Sequence, residues 1–128
     1  MQDPIRNAKN RLNREGKYVV NGFARIADTS EIGVGKTKKV TIGDIDVLIV
    51  NVEGRFYAVD ALCTHYGGEL SEGKLEGSII TCPNHGSKFD VRNGKVVSPP
   101  KEPLGRTEIE NLTAYPLRVE NNKILVKV

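Results

Sequence analysis

Two short stretches hold all the cysteine and histidine of this chain. CTHYGGEL, residues 63–70, contains Cys63 and His65, and CPNHGSKF, residues 82–89, contains Cys82 and His85. The pattern is C-x-H, a gap of sixteen residues, then C-x2-H. Thiolate and imidazole are ligands for zinc, iron and iron–sulfur clusters. A lone cysteine is usually a small buried hydrophobe and a lone histidine an ordinary polar residue. Four such scarce residues falling into two matched pairs have no such explanation. Gly67 and Gly68 follow the first pair and Gly86 the second, so the backbone is free to aim the side chains. Two centres would use this set. A closed tetrahedral zinc site takes two cysteines and two histidines, but zinc modules commonly gather one ligand type per segment. Here each segment carries one of each, which suits a binuclear centre with both cysteines on one metal and both histidines on the other. The cysteines would then lie deeper and the histidines toward the loop tips.

Strands must position these loops. KVTI-GD-IDVLIVNV-EG-RFYAVDA, residues 39–61, reads as three strands joined by turns at Gly43-Asp44 and Glu53-Gly54. Val47, Ile49, Phe56 and Ala58 alternate as in half-buried strands. KLEGSIITCP, 74–83, supplies another strand leading into the second Cys/His stretch. KFDV-RNG-KVV, 88–97, is a hairpin with Asn93-Gly94 at its tip, and TAYPLRV-ENN-KILVKV, 113–128, is a final hairpin. The expected fold is all-β, a small antiparallel sandwich or barrel carrying the two loops.

The net charge of +3 belongs to the first 17 residues, where Arg6, Lys9, Arg11, Arg14 and Lys17 face only Asp3 and Glu15. The remaining 111 residues balance at 14 of each sign. Residues 1–17 are therefore expected to be a basic extension, with a short helix placing Ile5, Ala8 and Leu12 on one face. Residues 18–128 form the domain. Neither part shows the large basic surface with interleaved aromatics of a nucleic-acid binder. No apolar run approaches the ~20 residues of a membrane span, and the start lacks the apolar stretch of a secretory signal. A cytoplasmic location and a monomer are expected. SEIGVGKT, 30–37, ends like a phosphate-binding loop, but Ser30 stands where its first glycine should be.

Cys63-Thr64-His65 with Cys82-Pro83-Asn84-His85-Gly86-Ser87 resembles the Rieske [2Fe–2S] motif. The resemblance runs from about Gly22 to Val128 and includes RFYAVDALCTH, GGELSEG and HGSKFDVRNGKV. Ser98-Pro99-Pro100 is similar to the proline loop that packs over such clusters. It implies a Rieske-type β fold whose cluster-binding part covers about residues 61–103, with one [2Fe–2S] cluster per chain. Cys63 and Cys82 would hold the inner iron, and His65 and His85 the outer, solvent-facing iron. It further implies that Ser87 donates a hydrogen bond to a bridging sulfide. The tyrosine found two positions later in high-potential members is Phe89 here, and the extra cysteine pair of respiratory-complex subunits is missing. KEPLGRTEIENLT, 101–113, is longer than the usual link to the last hairpin. These differences point to soluble ferredoxins of the family.

Neutral imidazoles in place of two thiolates make the cluster less negative, raising its potential to about −150 to +300 mV. An oxygenase subunit would need a mononuclear iron held by two more histidines, and none remains. The resemblance thus implies a one-electron carrier between a reductase and an acceptor such as an oxygenase, and no enzyme. The alternatives are a small subunit of a larger nitrite-reductase-like oxidoreductase or a structural zinc module. Asp60, Glu69, Glu72 and Glu76 against Lys74 give residues 60–76 an acidic excess, which is either a steering surface or a solvated face.

Overall fold

The computed structural model describes residues 10–12, 18–101 and 109–128. Tight turns set much of its course. Asn21-Gly22, Glu53-Gly54 and Asn121-Asn122 all have positive φ at both positions. That is the requirement of a two-residue hairpin turn whose twist matches the flanking strands. The described residues form thirteen strands: β1 (Asn10–Leu12), β2 (Tyr18–Val20), β3 (Phe23–Asp28), β4 (Thr37–Ile42), β5 (Ile45–Val52), β6 (Arg55–Asp60), β7 (Lys74–Glu76), β8 (Ile79–Thr81), β9 (Lys88–Asp90), β10 (Val96–Ser98), β11 (Ala114–Tyr115), β12 (Leu117–Glu120) and β13 (Lys123–Val126). Their pairings are antiparallel and give three sheets, ordered β1-β2-β3-β13-β12, β11-β6-β5-β4 and β10-β9-β8-β7. The described residues contain no α-helix, so the all-β expectation holds.

β5 divides the interior. Val47, Leu48, Ile49 and Val50 are all 0% exposed, and Asn51 is buried beside them. Val47 and Ile49 join Ala24, Ile32, Ala58, Ile124 and Val126 in one core. Leu48 and Val50 point the other way and pack with Val59, Ile80, Phe89, Leu112 and both cysteines. The alternation expected of a half-buried strand therefore gives way to burial on both faces. Each such side chain contributes roughly 1.5–3 kcal/mol by leaving water. Asn51 is satisfied within this wall: Nδ2 donates to the Ile32 carbonyl at 2.8 Å, and Oδ1 accepts from Gly54 N–H at 2.8 Å.

Two local readings change. Residues 74–83 form a hairpin instead of one strand, because Gly77 takes a left-handed φ of 62° and reverses the chain between β7 and β8. Asn10–Leu12, expected in a helix, is a strand paired with Tyr18–Val20. Strand pairing of the backbone outweighs the weak helical period there. Ile5 and Ala8 lie outside the described residues.

Asp60, at the end of β6, fastens β11 to the central sheet. It accepts from the Tyr115 hydroxyl at 2.5 Å and from Thr113 N–H at 2.7 Å. Burial, then the bond to Asp60, pushes the Tyr115 phenol up from its usual 10 to about 12. The folded state thus holds this proton more tightly than the unfolded chain. The associated stability is complete below pH 10 and is lost as pH rises toward 12. In an ultraviolet difference titration, Asp60→Asn should make Tyr115 ionise earlier. An unchanged profile would exclude the carboxylate as a cause.

Candidate metal centre

Loop one follows β6 and loop two joins β8 to β9. Both close in the same way. In loop one Cys63 N–H donates to the Gly68 carbonyl at 2.8 Å, and Gly67 N–H donates back to Cys63 at 2.9 Å. In loop two Cys82 N–H donates to the Ser87 carbonyl at 2.8 Å, and Gly86 N–H donates back to Cys82 at 3.2 Å. Each cysteine is thus answered by a glycine four residues on, and both glycines need left-handed backbone, with φ of 73° and 78°. The two finger loops stand side by side with their cysteines in the core and their histidines meeting outside it.

The sequence-predicted residues come together as two pairs. Cys63 and Cys82 are free thiols, each 3% exposed. The imidazoles of His65 and His85 lie with ring centroids 5.0 Å apart at 81°. Among the described residues, no three Cys, His, Asp or Glu side chains converge as a single metal ion would require. Burial pushes the Cys63 thiol above its usual range; the His65 backbone opposes this, and the adjacent Cys82 sulfur pushes it up again. A cation bound to the sulfurs would reverse that balance by favouring thiolate.

Two further features fit a group seated between the loops. Ser87 is 0% exposed, and its hydroxyl, close to Cys63, makes no hydrogen bond of normal geometry to any described residue. A buried donor without an acceptor costs about 1–3 kcal/mol, so an acceptor from a bound group would relieve it. A Cβ on Gly68 would stand 2.7 Å from Cys82 Sγ and 2.8 Å from Asn84 Nδ2. Only a hydrogen fits there. The donor set, two thiols, two imidazoles and an unsatisfied hydroxyl, therefore suits a sulfide-bridged di-iron group. Pro100 is buried, and Lys101 N–H donates to the His85 carbonyl at 2.7 Å, so the proline segment closes over loop two.

One expectation changes at the tip. His65 is only 4% exposed and His85 is half-buried, so the pair does not face solvent equally. Tyr66 covers His65, with ring centroids 3.9 Å apart, and is itself 54% exposed. Sequence reasoning passed over Tyr66; its place next to His65 on a glycine-rich tip was the available signal. The acidic run does not make one charged face either. Glu69 is bound by Lys39 at 2.9 Å, and Asp60 is engaged by Thr113 and Tyr115.

A small β frame presenting paired cysteines and histidines on twin loops is the architecture of an iron–sulfur electron-transfer domain. The chain belongs to the Rieske [2Fe–2S] domain family, whose model matches residues 22–116. It is 36% identical over 97 residues to the ferredoxin component of the naphthalene 1,2-dioxygenase system of Pseudomonas putida, covering 76% of this chain and 86% of that relative. The solved ferredoxin of carbazole 1,9a-dioxygenase from Nocardioides aromaticivorans IC177 superposes with a TM-score of 0.73 at 27% identity, covering 84% of this chain and 98% of that one. A chain in a solved complex of reduced oxygenase and oxidized ferredoxin in carbazole 1,9a-dioxygenase gives 0.70 at 28% identity, covering 83% and 93%. The protein is a Rieske-type ferredoxin, an electron carrier and not a catalytic subunit.

Proposed function

We propose that Cys63, His65, Cys82 and His85 hold one [2Fe–2S] cluster per chain, with the cysteines on the inner iron and the histidines on the outer. The observation that carries this reading is the matched closure of the two loops, which pairs thiol with thiol and imidazole with imidazole. Both thiols lie in one core cluster and the imidazoles meet outside it, a separation by ligand type that favours a binuclear group over one zinc ion. When bound, the cluster supplies a one-electron couple that is easier to reduce than a four-cysteine centre. The chain keeps the sulfur end dry, offers the Ser87 hydroxyl as a donor, and leaves His85 and Tyr66 as the exposed edge through which electrons pass.

The proposed role is transfer from a reductase to an oxygenase, by a cytoplasmic monomer whose domain covers 18–128, with Asn10–Leu12 of the preceding segment added at the edge of its five-stranded sheet and the cluster-binding part at about 61–103. The solved oxygenase–ferredoxin complex of carbazole 1,9a-dioxygenase supports the acceptor class. Purification of the protein alone and coloured would favour this over a nitrite-reductase-like small subunit, which would come only with its large subunit. The purified protein should contain two irons and two acid-labile sulfides per chain and, once reduced, show the low average g value of histidine-ligated clusters. One stoichiometric zinc after anaerobic expression would sink the reading.

Ser87 gives a second test. A hydroxyl that donates to the cluster stabilises its extra negative charge on reduction, so Ser87→Ala should lower the potential. A net value of ~1 kcal/mol corresponds to a one-electron shift on the order of 40–60 mV. An unchanged potential with full iron content would rule out Ser87 as a donor.

A further inference from the structure

Both cysteines are free, so no disulfide joins the two loops. The segment 109–113, just before β11, touches both of them. On one side Thr64 Oγ1 donates to the Glu110 carbonyl at 2.6 Å and accepts from Glu110 N–H at 3.2 Å. Thr113 adds two bonds at the neck of loop one: its N–H donates to the Asp60 carboxylate at 2.7 Å, and its carbonyl accepts from Asp60 N–H at 3.0 Å. On the other side Leu112 N–H donates to the Gly94 carbonyl at 2.8 Å, and the Asn111 side chain accepts from Val96 N–H at 2.9 Å. These last two bonds grip the β9–β10 hairpin that leaves loop two. Leu112 and Ile109 pack in the core that contains both cysteines.

Residues 110 and 113 thus reach loop one while 111 and 112 reach the hairpin of loop two. We propose that 109–113 is a bracket that holds the two ligand loops at a fixed separation. Thr64 is its fastening on loop one, a positioning residue for Cys63 and His65, between which it stands. The proposal rests on the cluster reading above. Thr64 spends no atom on a ligand role: its hydroxyl uses donor and acceptor on one backbone unit, as a strand partner would. These bonds are at an exposed position, where water can replace them at small cost to global stability. Their effect is local, on how far and how often loop one opens.

The test compares wild type with Thr64→Val, Thr64→Ser and Asn111→Ala. Valine keeps the shape and removes both bonds; serine keeps the hydroxyl. Thr64→Val is expected to lose iron to a chelator about tenfold faster, the equivalent of ~1.4 kcal/mol of loop closure. It should also broaden the electron paramagnetic resonance lines of the reduced protein, as ligand geometry becomes heterogeneous. Hydrogen exchange should show Glu110 N–H losing its protection, while the thermal midpoint barely moves. Thr64→Ser should match wild type on every readout, and Asn111→Ala should release iron faster by freeing the hairpin side. A Thr64→Val protein with wild-type release and line shape overturns the proposal, as does a serine variant as labile as the valine one. If Thr64→Val does not fold, wild-type release from Asn111→Ala overturns it instead. A colourless wild-type protein would sink the cluster reading; the bracket would then stand or fall on the exchange of Glu110 N–H.

Discussion

Gly68→Ala is expected to leave the protein folded but nearly colourless. The added methyl would stand 2.7 Å from Cys82 Sγ, closer than real Cβ atoms come to a heavy atom. It would also meet Asn84 Nδ2 at 2.8 Å, but that is the end of a flexible side chain on an exposed residue and can swing aside. The sulfur cannot. It is buried in the core, and in its proposed role as a cluster ligand it must hold its place against Cys63. Either loop one shifts outward, breaking the bond from Cys63 N–H to the Gly68 carbonyl, or Cys82 turns away from its partner. Both outcomes separate the two thiols. Gly67→Ala is the matched control: its φ of 73° strains any side chain, yet a Cβ there meets nothing within 4 Å. That variant should keep its colour and lose only about 1–2 kcal/mol of stability. Iron per chain and visible absorbance, with circular dichroism to monitor the fold, decide the matter. Full loading of Gly68→Ala would mean that the Cys82 sulfur does not lie against loop one.

Gly94→Ala, at the one glycine of the β9–β10 hairpin, should be strongly destabilising. Its φ is 78°, and a Cβ would lie 2.2 Å from the Leu112 carbonyl oxygen and 2.9 Å from the carbonyl carbon. Backbone on both sides leaves nothing flexible to yield. The 109–113 segment would have to move off, losing the bond from Leu112 N–H to Gly94 and opening the core around the Leu112 side chain. Strain, the lost bond and the disturbed packing together suggest about 3–5 kcal/mol. For a domain of this size that lowers the thermal midpoint on the order of 10–20 °C. Gly35→Ala carries the same kind of strain, φ 75°, with nothing within 4 Å, and should fall by only a few degrees. Equal losses in the two variants would show that backbone strain alone matters at position 94.

The β4–β6 meander was legible because its turn residues and apolar runs agree, and the Asn93-Gly94 hairpin tip for the same reason. The meeting of the Cys/His pairs was legible from scarcity and spacing. What escaped depends on contacts between distant residues. Glu76-Gly77-Ser78 is a weak turn signal inside ten residues, so β7 and β8 merged into one strand. Leu48 and Val50 need a second core on the far side of β5, which no local pattern announces. The covering of His65 by Tyr66 is a matter of side-chain placement, and the bracket joins residues 46 apart in sequence.

The two-sided burial of β5 bears on how the chain finds its alignment at all. A strand with one wet face has its register chosen by hydrophobicity, because a slip of one residue turns every apolar side chain to water. In β5 such a slip would merely exchange one apolar set for another between the two cores, and greasiness alone would scarcely object. Asn51 objects. Displaced by one position, its amide would leave both Ile32 and Gly54 and take an unsatisfied polar group into the opposite core. The single polar side chain in the wall thus acts as an index mark, penalising misalignments that the surrounding apolar residues would tolerate.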